Sequence, residues 1–177
     1  CHLENNPCFA YMDGRRMVVY SCNQVPHTLR RNIAEAIGMP LGDVRVVKPF
    51  LGGGFGNKQD TMYEPLVALA SQRIGGRCVA ITLSREETFV NTRTRHGFDM
   101  TIAAAADEAG DLTHRGIRIN SNGGSYAAHT HAVAAYAVTS NFQTYKASAV
   151  QIGESSTVYT NLPSAAAMRG YGIPQLN

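Results

Sequence analysis

A mixed α+β fold, with helices packed on a mixed sheet, is what the 177-residue sequence predicts, and three observations predict it. Two short β-prone runs open the chain around an Asp-Gly turn. Two stretches with helical apolar spacing follow, the second beyond a strand candidate, and the remainder returns mostly to strands. The order β-β-α-β-α-β, then mostly strands, fits a layered domain better than a bundle or a sandwich. The length suits a single compact domain, so residues 1–177 are read as one domain. The chain opens at Cys1 without a Met, a basic segment or an apolar segment. It is therefore read as a piece of a longer protein.

Each element has its own local reason. Cys8 to Asp13 and Arg16 to Ser21 flank Asp13-Gly14, a hairpin signal. A helix is expected over 24–37, with Leu29, Ile33, Ala36 and Ile37 on one face. Gly38 and Pro40 stop it. Val44 to Val47 reads as a strand ended by Pro49. A glycine-rich loop, Gly52 to Gln59, leads into a second helix from about Thr61 to Arg73, with Leu66, Leu69 and Ala70 on one face. Cys78 to Leu83 is a strand candidate, and Ser84-Arg85-Glu86-Glu87 matches a capping box. Phe98 to Ala106 and Leu112 to Asn120 read as strands around the turn at 107–111. Gly123-Gly124 breaks the pattern, and the Ala-rich stretch His129 to Val138 reads as a helix. Tyr145 to Ile152 and Thr157 to Thr160 read as extended.

Composition excludes several function classes. The net charge is +3, and no basic run exceeds a pair, so no nucleic-acid partner is expected. No apolar stretch approaches the roughly 18 residues of a membrane helix. Cys1, Cys8, Cys22 and Cys78 form no C-x-x-C pair, which argues against a zinc ribbon, a redox pair or iron–sulfur ligation within this chain. Scattered cysteines and six methionines fit a reducing cytoplasm.

The strongest chemical signal is the loop Gly52-Gly53-Gly54-Phe55-Gly56-Asn57-Lys58-Gln59 between a strand and a helix. Glycines let backbone N–H groups approach an oxyanion, and a helix N-terminus adds partial positive charge. A dinucleotide fingerprint fails at Asn57 and a Walker loop fails at Gln59. On the glycines alone the loop is either an anion cradle or a tight packing turn. The chain is then a non-catalytic anion- or nucleotide-binding module built on Gly52–Gly56, or a structural piece. Met168-Arg169-Gly170-Tyr171-Gly172, preceded by Ala165 to Ala167, is a second place where backbone can approach a ligand. His129 and His131 would share one face of a strand, but no Asp, Glu or Cys nearby completes a metal site, so both are read as solvated or hydrogen-bonded. His96, among Arg93 and Arg95, is read as part of a solvated basic face. Glu86 and Glu87 are read as helix-start carboxylates.

Gly52 to Lys58, together with Thr160 to Ser164 leading into Met168 to Gly172, resembles the molybdenum hydroxylases. That is the xanthine dehydrogenase and aldehyde oxidase family, in its molybdopterin-binding subunit or region. Tyr20-Ser21-Cys22-Asn23-Gln24 resembles the family's Ser-Thr-Gln segment at the same spacing, and His2-Leu3-Glu4 resembles a further short motif. The resemblance covers essentially the whole chain, and the wording is nearer to bacterial xanthine dehydrogenase molybdenum subunits than to the animal enzymes.

The resemblance implies an oxidoreductase that hydroxylates an electron-poor carbon of a purine, another N-heterocycle or an aldehyde, with water as oxygen source. It implies a molybdenum–molybdopterin cofactor, with iron–sulfur clusters and FAD on partner domains or subunits. Carried over residue by residue, Gln24 places its amide near an oxo ligand. Gly54, Phe55 and Gly56 bring backbone over the cofactor, and Arg169 meets it through its own backbone. Tyr171 flanks the flat substrate, and Gln59 faces it where animal xanthine enzymes have Glu. Ala137, beside Tyr136, stands where those enzymes place a substrate Arg. No side chain here ligates molybdenum, which the pterin holds. The general-base Glu is expected downstream, so no catalytic residue is assigned and the isolated chain is expected to be inactive. Gln24 is expected to start its helix, Phe55-Gly56 to lie in a strand-to-helix loop, and both to converge with Arg169 on one cleft.

Overall fold

The computed structural model describes residues 2–143, 145 and 149–176. The chain divides into two compact units, Cys1–Thr92 and Arg93–Asn177, each with its own sheet.

In the first unit the hairpin forms as its turn dictates. Strands β1 (Cys8–Asp13) and β2 (Arg16–Ser21) pair antiparallel from Cys8 opposite Ser21 to Asp13 opposite Arg16. Gly14 turns the corner at φ 59°. Helix α1 (Pro26–Ile37) then carries the chain over to β3 (Val44–Val47), which lies parallel to β2. Helix α2 (Glu64–Arg73) leads on to β4 (Val79–Ile81), antiparallel to β1. The sheet is thus mixed, in the order β3-β2-β1-β4. Ala10, Met17 and Val19 of the hairpin, Leu29 and Ile33 of α1, and Val67 and Ala68 of α2 form its core. Helix α3 (Arg85–Asn91) starts on the expected capping box: Glu87 N–H donates to Ser84 Oγ, and Ser84 N–H donates to Glu87 Oε2.

Both longer helices differ from the sequence expectation in register. Proline fixes the φ of a first helical position, so α1 begins at Pro26 rather than 24. Its buried stripe takes Ala34 and leaves Ala36 exposed. Helix α2 begins at Glu64, and it buries Glu64, Val67, Ala68 and Ser71 while Leu66 is 60% exposed. Hydrophobicity favours the stripe through Leu66 and Leu69, but the stripe with two polar residues goes inward because both are satisfied there. Ser21 Oγ and Met62 N–H donate to the Glu64 carboxylate, and Ser71 Oγ donates to the Arg77 carbonyl.

In the second unit β5 (Gly97–Ala106) and β6 (Leu112–Gly124) pair antiparallel. Helix α4 (Thr130–Asn141) then crosses to β7 (Val150–Tyr159), parallel to β6. Alternate residues of β6, Arg115, Ile117, Ile119 and Ser121, are buried, and Ile117 and Ile119 form a core with Ala137 and Val138 of α4. The two extended stretches expected over 145–152 and 157–160 are one strand, and 146–148 lie outside the described residues. Strand β6 runs on through Gly123-Gly124, and a Cβ at Gly124 would strike Pro163 and Ser164. Those glycines therefore let the Asn161–Ser164 motif lie against the strand end. A short helix α5 (Ile173–Leu176) follows the second glycine motif. Among the described residues no helix is long and apolar enough to cross a membrane.

Candidate functional site

The first unit brings Gln24, Gly54, Phe55, Gly56 and Gln59 together at one loop. Gln24 lies ahead of α1, whose N-cap is Val25, so it does not start the helix. It is bound to the loop instead. Its N–H donates to the Lys58 carbonyl at 2.7 Å, and its side-chain Oε1 accepts from Gly56 N–H at 3.0 Å and Lys58 N–H at 3.2 Å. With the carbonyl end of the amide so occupied, the NH2 end is the side left to donate. Gly54 is buried, and a Cβ there would lie 2.6 Å from Gln24 Cδ. A Cβ at Gly53 would lie 3.0 Å from His2 Cβ, and one at Gly52 would overlap Glu4. The first three glycines therefore answer to close packing. Phe55 differs: it is 43% exposed at φ 53°, followed by Gly56 at φ 89°. A bulky residue held in the left-handed region marks a strained, over-determined loop. Gln59 N–H donates to the Gly56 carbonyl at 3.3 Å, and the residue is half-buried beside the loop.

A buried ion pair braces this loop from behind. The Lys58 side chain is 1% exposed, and its Nζ lies 2.6 Å from Glu4 Oε2. The same oxygen accepts Gly52 N–H at 3.1 Å, and Glu4 N–H donates to the Gly52 carbonyl at 3.2 Å. Burial disfavours the Glu4 carboxylate, but Lys58 and the Gly52 N–H outweigh it and hold its pKa below the ordinary value. Burial pushes His2 down, and its Nδ1 bonds the Glu4 carbonyl. Asn57, also buried, has an Oδ1 with no hydrogen-bond partner. Glu4 and Asn57 carry no side-chain role in the sequence reading. Glu4's is written there only as a three-residue motif far from the loop.

Arg169 and Tyr171 belong to the second unit, on the loop after the buried run Ala165 to Ala167. The Arg169 carbonyl accepts Arg95 Nη2–H at 2.8 Å, and the residue itself is exposed. Tyr171, at φ 47°, lies between Gly170 at φ 93° and Gly172 at φ 99°. Its hydroxyl is 3.1 Å from His129 Nδ1, and its ring meets Tyr136 near-perpendicular at 5.9 Å. Ala137 is fully buried in the core, with its Cβ against Gly172 of the motif. Exposed Tyr136, on the same helix, meets the ring of Tyr171.

Two expectations are corrected here. His96 is 3% exposed rather than solvated, with Nε2 at 2.9 Å from Thr130 Oγ1, and burial brings its pKa down to about 4. In the extended segment just ahead of β5, His96 is buried while Arg95 is exposed. His129 and His131 share no strand face, because His129 caps α4 and His131 lies in its first turn. Among the described residues no group of three His, Cys, Asp or Glu is placed to hold a metal. Cys8, Cys22 and Cys78 are free thiols, and burial pushes Cys8 up to about 12.

The chemistry of this loop suits a cofactor bearing neutral acceptor oxygens. It combines an oriented amide donor and a strained glycine-flanked aromatic, with the Lys58 cation already neutralised by Glu4, while the buried Asn57 Oδ1, an acceptor, would take a donor group of the cofactor. An α+β unit with such a loop between strand and helix defines a cofactor-binding region. The family model for the molybdopterin cofactor-binding domain matches residues 1–177, and the chain belongs to that family. It is 42% identical over 177 residues to a xanthine dehydrogenase molybdenum-binding subunit of Escherichia coli, covering 99% of this chain and 23% of that one. It is 30% identical to the nicotinate dehydrogenase large molybdopterin subunit of Eubacterium barkeri, covering 98% and 40%. Among solved structures, the aldehyde oxidoreductase of Desulfovibrio gigas superposes with a TM-score of 0.88 at 26% identity, covering 99% of this chain and 19% of that one. The chain thus spans about a quarter of the xanthine dehydrogenase subunit it matches.

Proposed function

We propose that this chain supplies part of the cofactor and substrate contacts of a xanthine dehydrogenase-like molybdenum hydroxylase. It acts on a purine, another N-heterocycle or an aldehyde, in the cytoplasm, alongside iron–sulfur and FAD domains or subunits. The bound molybdenum–molybdopterin group supplies the two-electron oxidation of an electron-poor carbon, with water as the oxygen source. The observation that carries the reading is the Gln24 amide, whose carbonyl is consumed by Gly56 and Lys58 N–H so that its NH2 end donates. A neutral donor stabilises an oxo ligand without adding charge. Gly54, Phe55 and Gly56 hold the loop's backbone against the cofactor, and Gln59 meets the substrate. Arg169, through its backbone, is assigned to the cofactor and Tyr171 to the substrate, with 1–177 read as part of one molybdopterin-binding domain. The general base lies on a part of the enzyme outside this chain. An aromatic face beside a flat ring gives area and orientation.

Expression of the full-length protein followed by molybdenum and pterin analysis tests this. Stoichiometric molybdenum with purine or aldehyde hydroxylation supports it. Tight nucleotide binding by a metal-free protein points instead to a non-catalytic module on Gly52–Gly56.

A further inference from the structure

We infer that His129 is a positioning residue which, with Tyr136, fixes the plane of the Tyr171 ring and so selects flat heteroaromatic substrates over aliphatic ones; this rests on the function proposed above. The loop that carries Tyr171 is closely packed at the glycine on either side. A Cβ at Gly170 would strike Pro174, and one at Gly172 would lie 2.7 Å from the Val133 carbonyl oxygen and 2.9 Å from Ala137 Cβ. Tyr171 N–H donates to the Met168 carbonyl at 2.8 Å. The backbone is thus set, and it holds a tyrosine at φ 47°, where an aromatic residue rarely stays without support.

Ring contacts supply that support. His129 Nδ1 meets the Tyr171 hydroxyl at 3.1 Å, with the two rings 6.1 Å apart at 73°. Tyr136 meets the same ring 5.9 Å away at 72°. Two near-perpendicular neighbours and the hydrogen bond to His129 restrict the orientation of the Tyr171 ring. His129 itself is delivered by a strained bend, since Ala128 before it has φ 35°. Strain on both sides of one hydrogen bond is what a precise ring placement requires, and packing alone does not ask for it. The wall so formed offers two phenols and an imidazole, with π faces and polar edges. A flat N-heterocycle can use both, whereas a small aliphatic aldehyde has no ring to set against it.

The test uses the full-length enzyme with its partner subunits, as wild type, His129→Ala, Tyr171→Phe and the double variant. KM and kcat are measured for purine and for acetaldehyde, with molybdenum content. Calorimetric Kd for purine on cofactor-depleted protein gives a readout independent of turnover. Each single variant is expected to raise purine KM and Kd about fivefold, the size of an edge-on aromatic contact. In His129→Ala the kcat, the acetaldehyde KM and the molybdenum content stay level, and the purine KM of the double variant is no higher than that of either single one. Additive losses, equal losses with acetaldehyde, or loss of molybdenum in His129→Ala overturn the inference. A wild-type protein without molybdenum and without turnover overturns the functional reading instead, and the calorimetric arm then decides alone whether the ring wall binds purine.

Discussion

Gln24 Oε1 accepts the backbone N–H of Gly56 at 3.0 Å across 32 positions of sequence, so the amide and the glycine loop hold each other in place. The two halves of the amide therefore have separable roles. Gln24→Glu keeps an acceptor for Gly56 and Lys58 but loses the donor. We expect the full-length protein to keep its melting temperature within a few degrees while its molybdenum content drops severalfold. Gln24→Leu removes the acceptor as well and leaves N–H groups unsatisfied, at about 1–3 kcal/mol each. Calorimetry and elemental analysis of both variants check this; unchanged molybdenum in Gln24→Glu would refute the donor role.

Lys58 gives a second test, because its ammonium is almost wholly buried and Glu4 is its anion. Removing one partner of such a pair leaves an uncompensated charge and costs about 3 kcal/mol. Glu4→Leu should lower the unfolding free energy by about that much. Adding Lys58→Met should restore a good part of it. Chemical denaturation of the three proteins decides, and a double variant no more stable than Glu4→Leu alone would count against the pair as the loop's brace.

Gln59→Glu should change which substrate is preferred more than how much metal is bound. Replacing an amide by a carboxylate at a half-buried position shifts discrimination by about 1–3 kcal/mol. The relevant measurement is the ratio of kcat/KM for purine and aldehyde substrates alongside molybdenum content. Lost metal with an unchanged ratio would show that the side chain serves the cofactor instead.

His96 predicts a pH dependence of stability. Its folded pKa, about 4, lies below the ordinary 6.5, because burial disfavours the charged ring. The unfolded chain then binds the proton more readily, so the His96 contribution is complete above about 6.5 and fades as pH falls toward 4. The full-length protein should unfold at lower denaturant at pH 5 than at pH 7.5, and His96→Asn should flatten that difference. A pH dependence identical in the variant would assign it to other groups.

Much of the fold was legible because its signals are local. The Asp13-Gly14 turn, the Ser84–Glu87 capping box and the glycine stop at Gly38 each depend on residues within a few positions, and all three form as read. The inward face of α2 was not legible. Glu64 and Ser71 go inward because Ser21, Met62 and Arg77 satisfy them, and all three lie outside the helix, where its own apolar pattern does not show them. His96 misled for the same reason: Arg93 and Arg95 advertise a solvated face, while its partner Thr130 is 34 positions away. At the candidate site the Gly52–Gln59 loop announced itself, but the contacts that shape it did not. Nothing near Glu4 shows that it neutralises Lys58, and nothing near His129 shows that it meets Tyr171 across 42 positions.

Ala137 restricts how this region can be re-engineered. Its methyl group faces the space that a side chain at Gly172 would need, and the residue is completely enclosed. A guanidinium grafted at 137 to imitate the animal xanthine enzymes would be driven into the interior, where no Asp or Glu is among the described buried residues of that unit, and would displace the Gly170–Gly172 loop. Directed evolution toward new heterocycles should therefore randomise position 136, whose side chain is 49% exposed, and hold 137 fixed as alanine. Libraries that vary the two together will mostly sample proteins that fail to fold, and their sparse survivors will understate how far the specificity of this scaffold can be moved.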